Sequence, residues 1–397
     1  MDESLFRKSL SRRLYSGRRL ERAISIGDLR AMAHRRLPAF VLEYLEGAAE
    51  DETSLRRNRS ALDAIGFAPA TLADVADRDL TTSLFRRSAA APIIVAPTGF
   101  NGLYWKDGDL ALARAAAAAG LPFVQSTVST MPIETVAAVP GLRHWMQLYV
   151  FGADEVYRRL IDRALGAGSE ALVLTTDGPV FGNRDWDKRR YVGPAQLSLR
   201  SRLSALRCPS WLLRMAREGA PRLENLLEFA PPHARDLVSM ARWSQGAMRA
   251  DLDWRWFAQL RREWPRKLLI KGVLKAVDVE RARDAGADGV VLSNHGGRQL
   301  DGAIAPIEIL ADARRRVGPD FTILVDSGFR RGTDVVKALC LGADAVLLGR
   351  AALYGLAAGG EAGAGRALAI MRAEIDRTIG LLGARNLAEL TPEMIVR

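Results

Sequence analysis

Three stretches of this chain share one local pattern: Gly168-Ser169-Glu170-Ala171-Leu172-Val173-Leu174-Thr175, Gly286-Ala287-Asp288-Gly289-Val290-Val291-Leu292-Ser293 and Gly342-Ala343-Asp344-Ala345-Val346-Leu347-Leu348-Gly349. Each follows a helix-like segment, at 155–167, 277–285 and 333–341. Glycine suits the position just past a helix end because it takes a positive φ without steric penalty. Each stretch then enters an apolar run without alternation, as expected of a parallel strand buried on both faces. The unit is helix, glycine, buried strand, and it is used repeatedly.

Working outward from these three gives eight such strands, at 93–97, 123–126, 145–150, 171–177, 268–272, 289–294, 322–328 and 345–350. Helix-like segments such as 107–120 and 132–138 separate them. Eight βα units predict an α/β protein, a (β/α)8 TIM barrel. A doubly wound sheet is the competing architecture, but no strand is followed by the GxGxxG turn of a dinucleotide fold. The barrel is expected over 91–380, after an N-terminal helical extension at 1–90 in which 37–47 is the clearest helix, and before a tail at 381–397. The interval 188–262 far exceeds an ordinary βα loop of ~2–6 residues, so it reads as an insertion.

Composition bounds the function. The chain has 397 residues, and 57 Lys+Arg against 46 Asp+Glu give a net charge of +11. No apolar run reaches the ~18 residues of a membrane span, and the first twenty residues lack the apolar core of a signal peptide. Two cysteines, Cys208 and Cys340, make no disulfide framework, which fits a reducing, cytoplasmic compartment. Four histidines leave little for a His-rich metal centre, and no metal is expected.

The basic excess points to anionic partners, nucleic acid or lipid. No nucleic-acid-binding module is visible. The segment 197–222 places Arg200, Arg202, Arg207, Arg214, Arg217 and Arg222 against Glu218 alone, interleaved with leucines and Trp211. That is the composition of a stretch lying on an anionic membrane surface; an active-site lid with solvated arginines is the plainer alternative.

In a (β/α)8 barrel the reactive groups sit at the C-terminal ends of the strands. Those ends read Thr98 and Gly99; Ser126; Gln147 and Tyr149; Thr175 and Asp177; Lys271; Asn294, His295 and Arg298; Asp326 and Arg330; Gly349 and Arg350. Asp326–Gly332 and Leu348–Arg350 end the last two strands, where barrels often bind phosphate through glycine-exposed N–H groups and arginine. Lys271 has two readings, a fixed cation facing an electron-rich ligand or the Schiff-base nucleophile of an aldolase-like barrel. His295 follows a buried strand, precedes two glycines and has Arg298 three residues on, which suits a general base beside a carboxylate clamp. Asp177 would orient its imidazole.

The stretch Ser293-Asn294-His295-Gly296-Gly297-Arg298-Gln299-Leu300-Asp301 resembles the active-site signature of the FMN-dependent 2-hydroxy acid oxidase/dehydrogenase family. The likeness runs over about 26–379 and takes in Leu37-Pro38, Tyr44, 47–51, 96–99, 147–149, 174–177, Arg184, 270–272, 326–332 and 348–350.

The resemblance implies a (β/α)8 barrel holding FMN. It implies oxidation of an (S)-2-hydroxy acid, lactate to mandelate-like, to the 2-oxo acid. Pro97, Thr98, Gly99, Ser126, Gln147, Thr175, Lys271 and Ser293 would surround the flavin ring, and Asp326, Gly328, Arg330, Gly349 and Arg350 its phosphate end. Tyr44, Arg184 and Arg298 would take the substrate carboxylate, Tyr149 the hydroxyl, and His295 a proton, paired with Asp177. Lys271 then becomes the cation that stabilises the reduced ring.

Gly99 and the Asp326–Phe329 sequence are similar to those of the membrane-associated members, so electrons are expected to go to a quinone or another carrier. An oxidase releasing hydrogen peroxide is the nearest alternative, and a basic lipid- or nucleic-acid-binding protein is the non-enzymatic one. Val128 stands where a bulky tryptophan occurs in oxidases of the family, which suggests a roomier pocket, while Phe181 could refill it. By the same resemblance the chain would be a homo-oligomer, a tetramer, and peripheral at the cytoplasmic face of the inner membrane.

Overall fold

A computed structural model describes residues 13–193 and 196–396. Eight parallel strands close into a barrel in sequential order: β1 (Ile93–Val95), β2 (Pro122–Gln125), β3 (Arg143–Leu148), β4 (Ala171–Thr175), β5 (Lys267–Val273), β6 (Gly289–Leu292), β7 (Thr322–Val325) and β8 (Ala345–Leu348). The expected (β/α)8 architecture is the one found, with strand bounds within a few residues.

The repeated glycine does what its position requires. Gly168, Gly286 and Gly342 have φ of 83°, 88° and 96°, directly after the helices Asp154–Gly166, Ala276–Asp284 and Gly332–Cys340. The acid two places on is structural. Asp288 accepts from Leu268 N and Arg261, and Asp344 from Ile323 N and Arg314. Each ties its strand to the preceding one.

Strand alternation divides the core in two. Ile94, Val124, Trp145, Val173, Leu269, Val291, Leu324 and Leu347 fill the barrel interior, while neighbours such as Val95, Met146, Leu174 and Ile270 face the helices. A hairpin, Thr82–Leu84 with Arg87–Ala89, adds Leu84 and Ala89 to the interior cluster, beside the first residue of β3, Arg143. Buried Arg143 donates to the carbonyls of Leu84, Arg87 and Ser88 and pairs with Glu170. Two residues beyond the apolar layer, the same alternation brings up Ala96, Ser126, Gln147, Thr175, Lys271, Ser293, Asp326 and Gly349. Apolar side chains give way there to polar ones, and that layer is the floor of the site.

The extension contributes the helices Ile26–Arg36, Ala39–Glu46 and Thr53–Asp63. The first starts on a capping box between Ser25 and Asp28. The second begins later than expected because Pro38 keeps Leu37 extended. At the other end Ile395–Val396 pairs antiparallel with Gly66–Phe67.

The insertion differs from expectation at its far edge. Trp254–Glu263 buries Trp256, Phe257 and Leu260 against the barrel and is its fourth helix, so the added segment ends near 253. Before it come the helices Leu199–Leu206, Pro209–Glu218 and Leu237–Ala247.

Candidate active site

A cavity of about 850 Å3 opens where the eight strands end. Nearly all the residues singled out from sequence line it: Tyr44, Pro97, Thr98, Gly99, Ser126, Tyr149, Arg184, Lys271, His295, Arg298, Asp326, Gly328, Arg330, Gly349 and Arg350. Gln147, Thr175, Asp177 and Ser293 stand behind its wall, each largely buried. Val128 and Phe181 both face the cavity, and Leu237, Ala241 and Gln245 of the insertion complete its rim.

His295 is held at three points. Its backbone N donates to Ser293 Oγ, Nδ1 lies 2.9 Å from Asp177 Oδ1, and Nε2 lies 3.3 Å from the Tyr149 hydroxyl. His295, Gly296 and Gly297 all take positive φ, so the chain turns back immediately after β6. A Cβ on Gly297 would sit 2.7 Å from Leu55 N, which is why glycine is needed where the loop meets the Thr53–Asp63 helix. Asn58 of that helix and Asn294 exchange two amide hydrogen bonds, of 2.9 and 2.7 Å, in a buried pair. Sequence reasoning missed this pair, because a reciprocal amide contact across 236 residues leaves no local signature.

The electrostatics follow from burial. Burial pushes the His295 imidazole below its ordinary value, although Asp177 pulls the other way. Burial raises Asp177, but His295 and Lys271 outweigh it and hold the carboxyl low. Burial, with Asp177 next, keeps the Tyr149 phenol well above its ordinary value, so the hydroxyl retains its proton. Nδ1 of neutral His295 therefore donates to Asp177 and leaves an acceptor lone pair on Nε2.

Lys271 corrects one of its two readings. Nζ lies 3.1 Å from Asp326 and 2.9 Å from Ser293 Oγ. Burial lowers its pKa, but Asp326 and Asp177 more than reverse this. A Schiff-base lysine needs a free amine; this one is a fixed cation.

The remaining arginines form a cationic cluster. Arg298 donates to the carbonyls of Tyr44 and Gly47 and stacks on the Tyr44 ring at 5.0 Å. Arg350 donates to Leu45, Gly296 and Gly47 carbonyls. Burial, then Arg298 and Arg330, disfavours the Arg350 charge. Arg184, Arg298, Arg330 and Arg350 have no carboxylate within ion-pair distance among the described residues, so an anion would relieve the cluster.

The layer behind the wall also asks for a ligand. Gln147 spends its Oε1 on Ser126 and Thr127, but its buried Nε2 has no partner, nor has the Thr175 hydroxyl. Unpaired buried donors are costly. Beside Gly349 an added Cβ would meet only the Ala96 methyl, in ordinary contact at 3.9 Å. These residues fit a flat heteroaromatic ring over Gln147, Thr175 and Lys271, with its anionic tail toward Gly328, Arg330 and Arg350.

The insertion is used in two ways. Trp211 Nε1 donates to Leu103 O, and Arg214 donates to Leu103 and Tyr104 carbonyls, so these two residues of the proposed membrane stretch face the barrel. Leu199, Leu203 and Leu206 do the opposite. At i, i+4 and i+7 they share one helix face and are 72%, 52% and 66% exposed, with Arg200, Arg202 and Arg207 exposed around them. No helix among the described residues is long and apolar enough to cross a membrane.

A family model for FMN-dependent dehydrogenases matches residues 33–397. An (S)-mandelate dehydrogenase of Pseudomonas putida is 44% identical over 94% of this chain and 93% of its own. An L-lactate dehydrogenase of Pectobacterium atrosepticum is 39% identical, over 93% and 96%. The crystal structure of an (S)-mandelate dehydrogenase described as a monotopic membrane protein superposes with a TM-score of 0.90, at 44% identity over 94% and 99%. That of a mandelate oxidase superposes at 0.81, with 34% identity over 94% and 98%.

Proposed function

This chain belongs to the FMN-dependent dehydrogenase family, and we propose from that premise that His295 takes a proton from an (S)-2-hydroxy acid whose carboxylate is held by Tyr44, Arg184 and Arg298. The protein is an FMN-dependent 2-hydroxy acid dehydrogenase. The observation that carries the assignment of roles is the Asp177–His295–Tyr149 line, set at the cavity wall beside the unpaired donors of Gln147 and Thr175.

Bound FMN supplies the two-electron acceptor. Gln147, Thr175 and Lys271 would hold its ring, and Gly328, Arg330, Gly349 and Arg350 its phosphate. The chain's own residues do the rest. Arg298 and Arg184 fix the carboxylate, which orients the hydroxyl carbon. The protonated Tyr149 donates to the substrate oxygen. His295 Nε2 accepts the proton, and Asp177 stabilises the imidazolium that results. Lys271 supplies fixed positive charge where negative charge grows.

Val128 and Phe181 on the cavity wall favour a substrate in the lactate-to-mandelate range. The relatives named as dehydrogenases and the exposed leucine face of Leu199–Leu206 favour a quinone acceptor reached at a membrane surface. The test is anaerobic mixing of the flavin-loaded protein with a panel of 2-hydroxy acids. Bleaching of the flavin by (S)-enantiomers, followed by faster reoxidation with quinone than with oxygen, is the expected result. Reoxidation chiefly by oxygen would make the protein an oxidase.

A further inference from the structure

A second concavity, about 400 Å3, lies on the insertion and is walled by His233, Ser239, Arg242, Trp243 and Gly246. Its size is that of a small-molecule site. Three features set it apart from an ordinary surface groove. Trp243 stacks on Phe151 with centroids 6.4 Å apart and planes inclined by 29°, and Phe151 meets Tyr149 edge-on at 6.1 Å. Tyr149 is the residue whose hydroxyl faces His295, so packed aromatic rings run without a gap from the reaction centre to the second concavity.

The helix that bears Trp243 is also tied in place. Gly152 N donates to Ala247 O, and Arg249 N donates to Val150 O, on the segment that follows β3. Arg242 belongs to the walls of both cavities and has no ion-pair partner among the described residues.

We propose that this concavity binds the ring of a quinone, the acceptor in the oxidative half of the cycle; the proposal rests on the dehydrogenase reading above. A quinone offers a flat π face and two carbonyl oxygens. Trp243 supplies the stacking surface, and the Arg242 guanidinium and the His233 imidazole supply donors for the oxygens. The balance closes without another reagent. The 2-hydroxy acid loses two electrons and two protons as its C–H and O–H bonds become a C=O bond. The quinone gains two electrons and two protons and leaves as the quinol. The two half-reactions use separate pockets, so the oxo acid need not vacate its site before the quinone docks.

The flavin-loaded protein is tested in two ways. In the first, a photoreactive azidoquinone is irradiated with the protein and the labelled peptides are identified. Label on His233, Ser239, Trp243 or Gly246, which wall the second concavity alone, displaced by excess unlabelled quinone, is expected. Label confined to residues that line the large cavity, Leu237, Ala241 and Gln245 among them, would overturn the proposal. In the second, His233→Ala and Trp243→Leu are compared with wild type by stopped flow. Bleaching by substrate should be unchanged in both variants, while reoxidation by a short-chain quinone slows about tenfold or more, the loss of roughly one stacking or hydrogen-bond contribution. Trp243→Phe, which keeps the stacked rings, should recover part of that loss. Reoxidation at the wild-type rate in His233→Ala and Trp243→Leu overturns the proposal. If no 2-hydroxy acid bleaches the wild type, the dehydrogenase reading fails instead, and the labelling result still decides the pocket.

Discussion

A methyl group added at Gly99 would overlap Val128 Cγ2, so the loops after β1 and β2 touch with no room for a side chain between them. Phe100 N donates to Val128 O at 3.1 Å and holds the loops at that separation. Gly99→Ala should therefore destabilise the protein by about 1–3 kcal/mol, the usual cost of overpacking. Val128→Ala should make the room, so the double variant should be more stable than the sum of the singles predicts. Denaturant unfolding of the four proteins measures the coupling; simple additivity would mean that the loops move apart freely.

His295→Gln should keep bound FMN and lose flavin reduction by ~10²–10⁴-fold, the usual worth of a general base. Because burial holds the imidazole below its ordinary range, the wild-type rate should be flat at neutral pH and fall only on the acid side. Asp177 raises that pKa, so Asp177→Asn should move the acid limb to lower pH while slowing the reaction. An acid limb that moves upward would remove Asp177 from its role. Stopped-flow pH profiles of flavin bleaching provide the measurement.

Arg298→Lys should weaken substrate binding strongly. The guanidinium lies over Tyr44 and uses Nη1 on two carbonyls, which leaves Nε and Nη2 to donate side by side to a carboxylate. Methyl esters should be poor substrates of the wild type. Equal turnover of acid and ester would show that no carboxylate clamp exists.

Replacing Leu199, Leu203 and Leu206 together by Gln should abolish sedimentation with anionic vesicles and leave substrate-driven bleaching intact. Each exposed leucine is worth ~1.5–3 kcal/mol if fully buried in lipid, and each nearby arginine about 1 kcal/mol at an anionic surface. Point substitutions are the sound test here. Deleting 197–222 would also remove Trp211 and Arg214 from the Leu103–Tyr104 carbonyls. A triple variant that still sediments at low salt would return the helix to the lid reading.

His144 should give the protein an acid-labile component. It is buried between Ser169 Oγ and Gln125 Oε1, and burial pushes its pKa down from 6.5 to about 4. Between those values the unfolded chain binds a proton that the folded chain refuses. Stability from this group is therefore full above 6.5 and is lost as pH falls through 4, by about 3 kcal/mol in all. Urea unfolding of wild type and His144→Gln at stepped pH should show the variant losing less over that window. Parallel pH profiles would refute the assignment.

Much of this molecule was legible in its sequence. The glycine after each helix and the unalternating apolar run are local requirements of backbone geometry and two-sided burial, so Gly168, Gly286 and Gly342 announced the barrel before any contact was known. The polar strand ends announced the site, because a barrel's interior alternation carries straight on into its mouth. Tertiary structure alone decided the rest. It set Asp177 against His295, joined Asn58 to Asn294, held Lys271 charged between Asp326 and Ser293, and turned Trp211 and Arg214 inward while leaving Leu199, Leu203 and Leu206 outside. Composition could not separate those two groups of insertion residues, since inward and outward faces of a helix differ only in what the rest of the chain brings against them. Local propensity is written in neighbouring residues; pairing, burial and charge state depend on residues hundreds of positions away, and those meet only when the barrel closes.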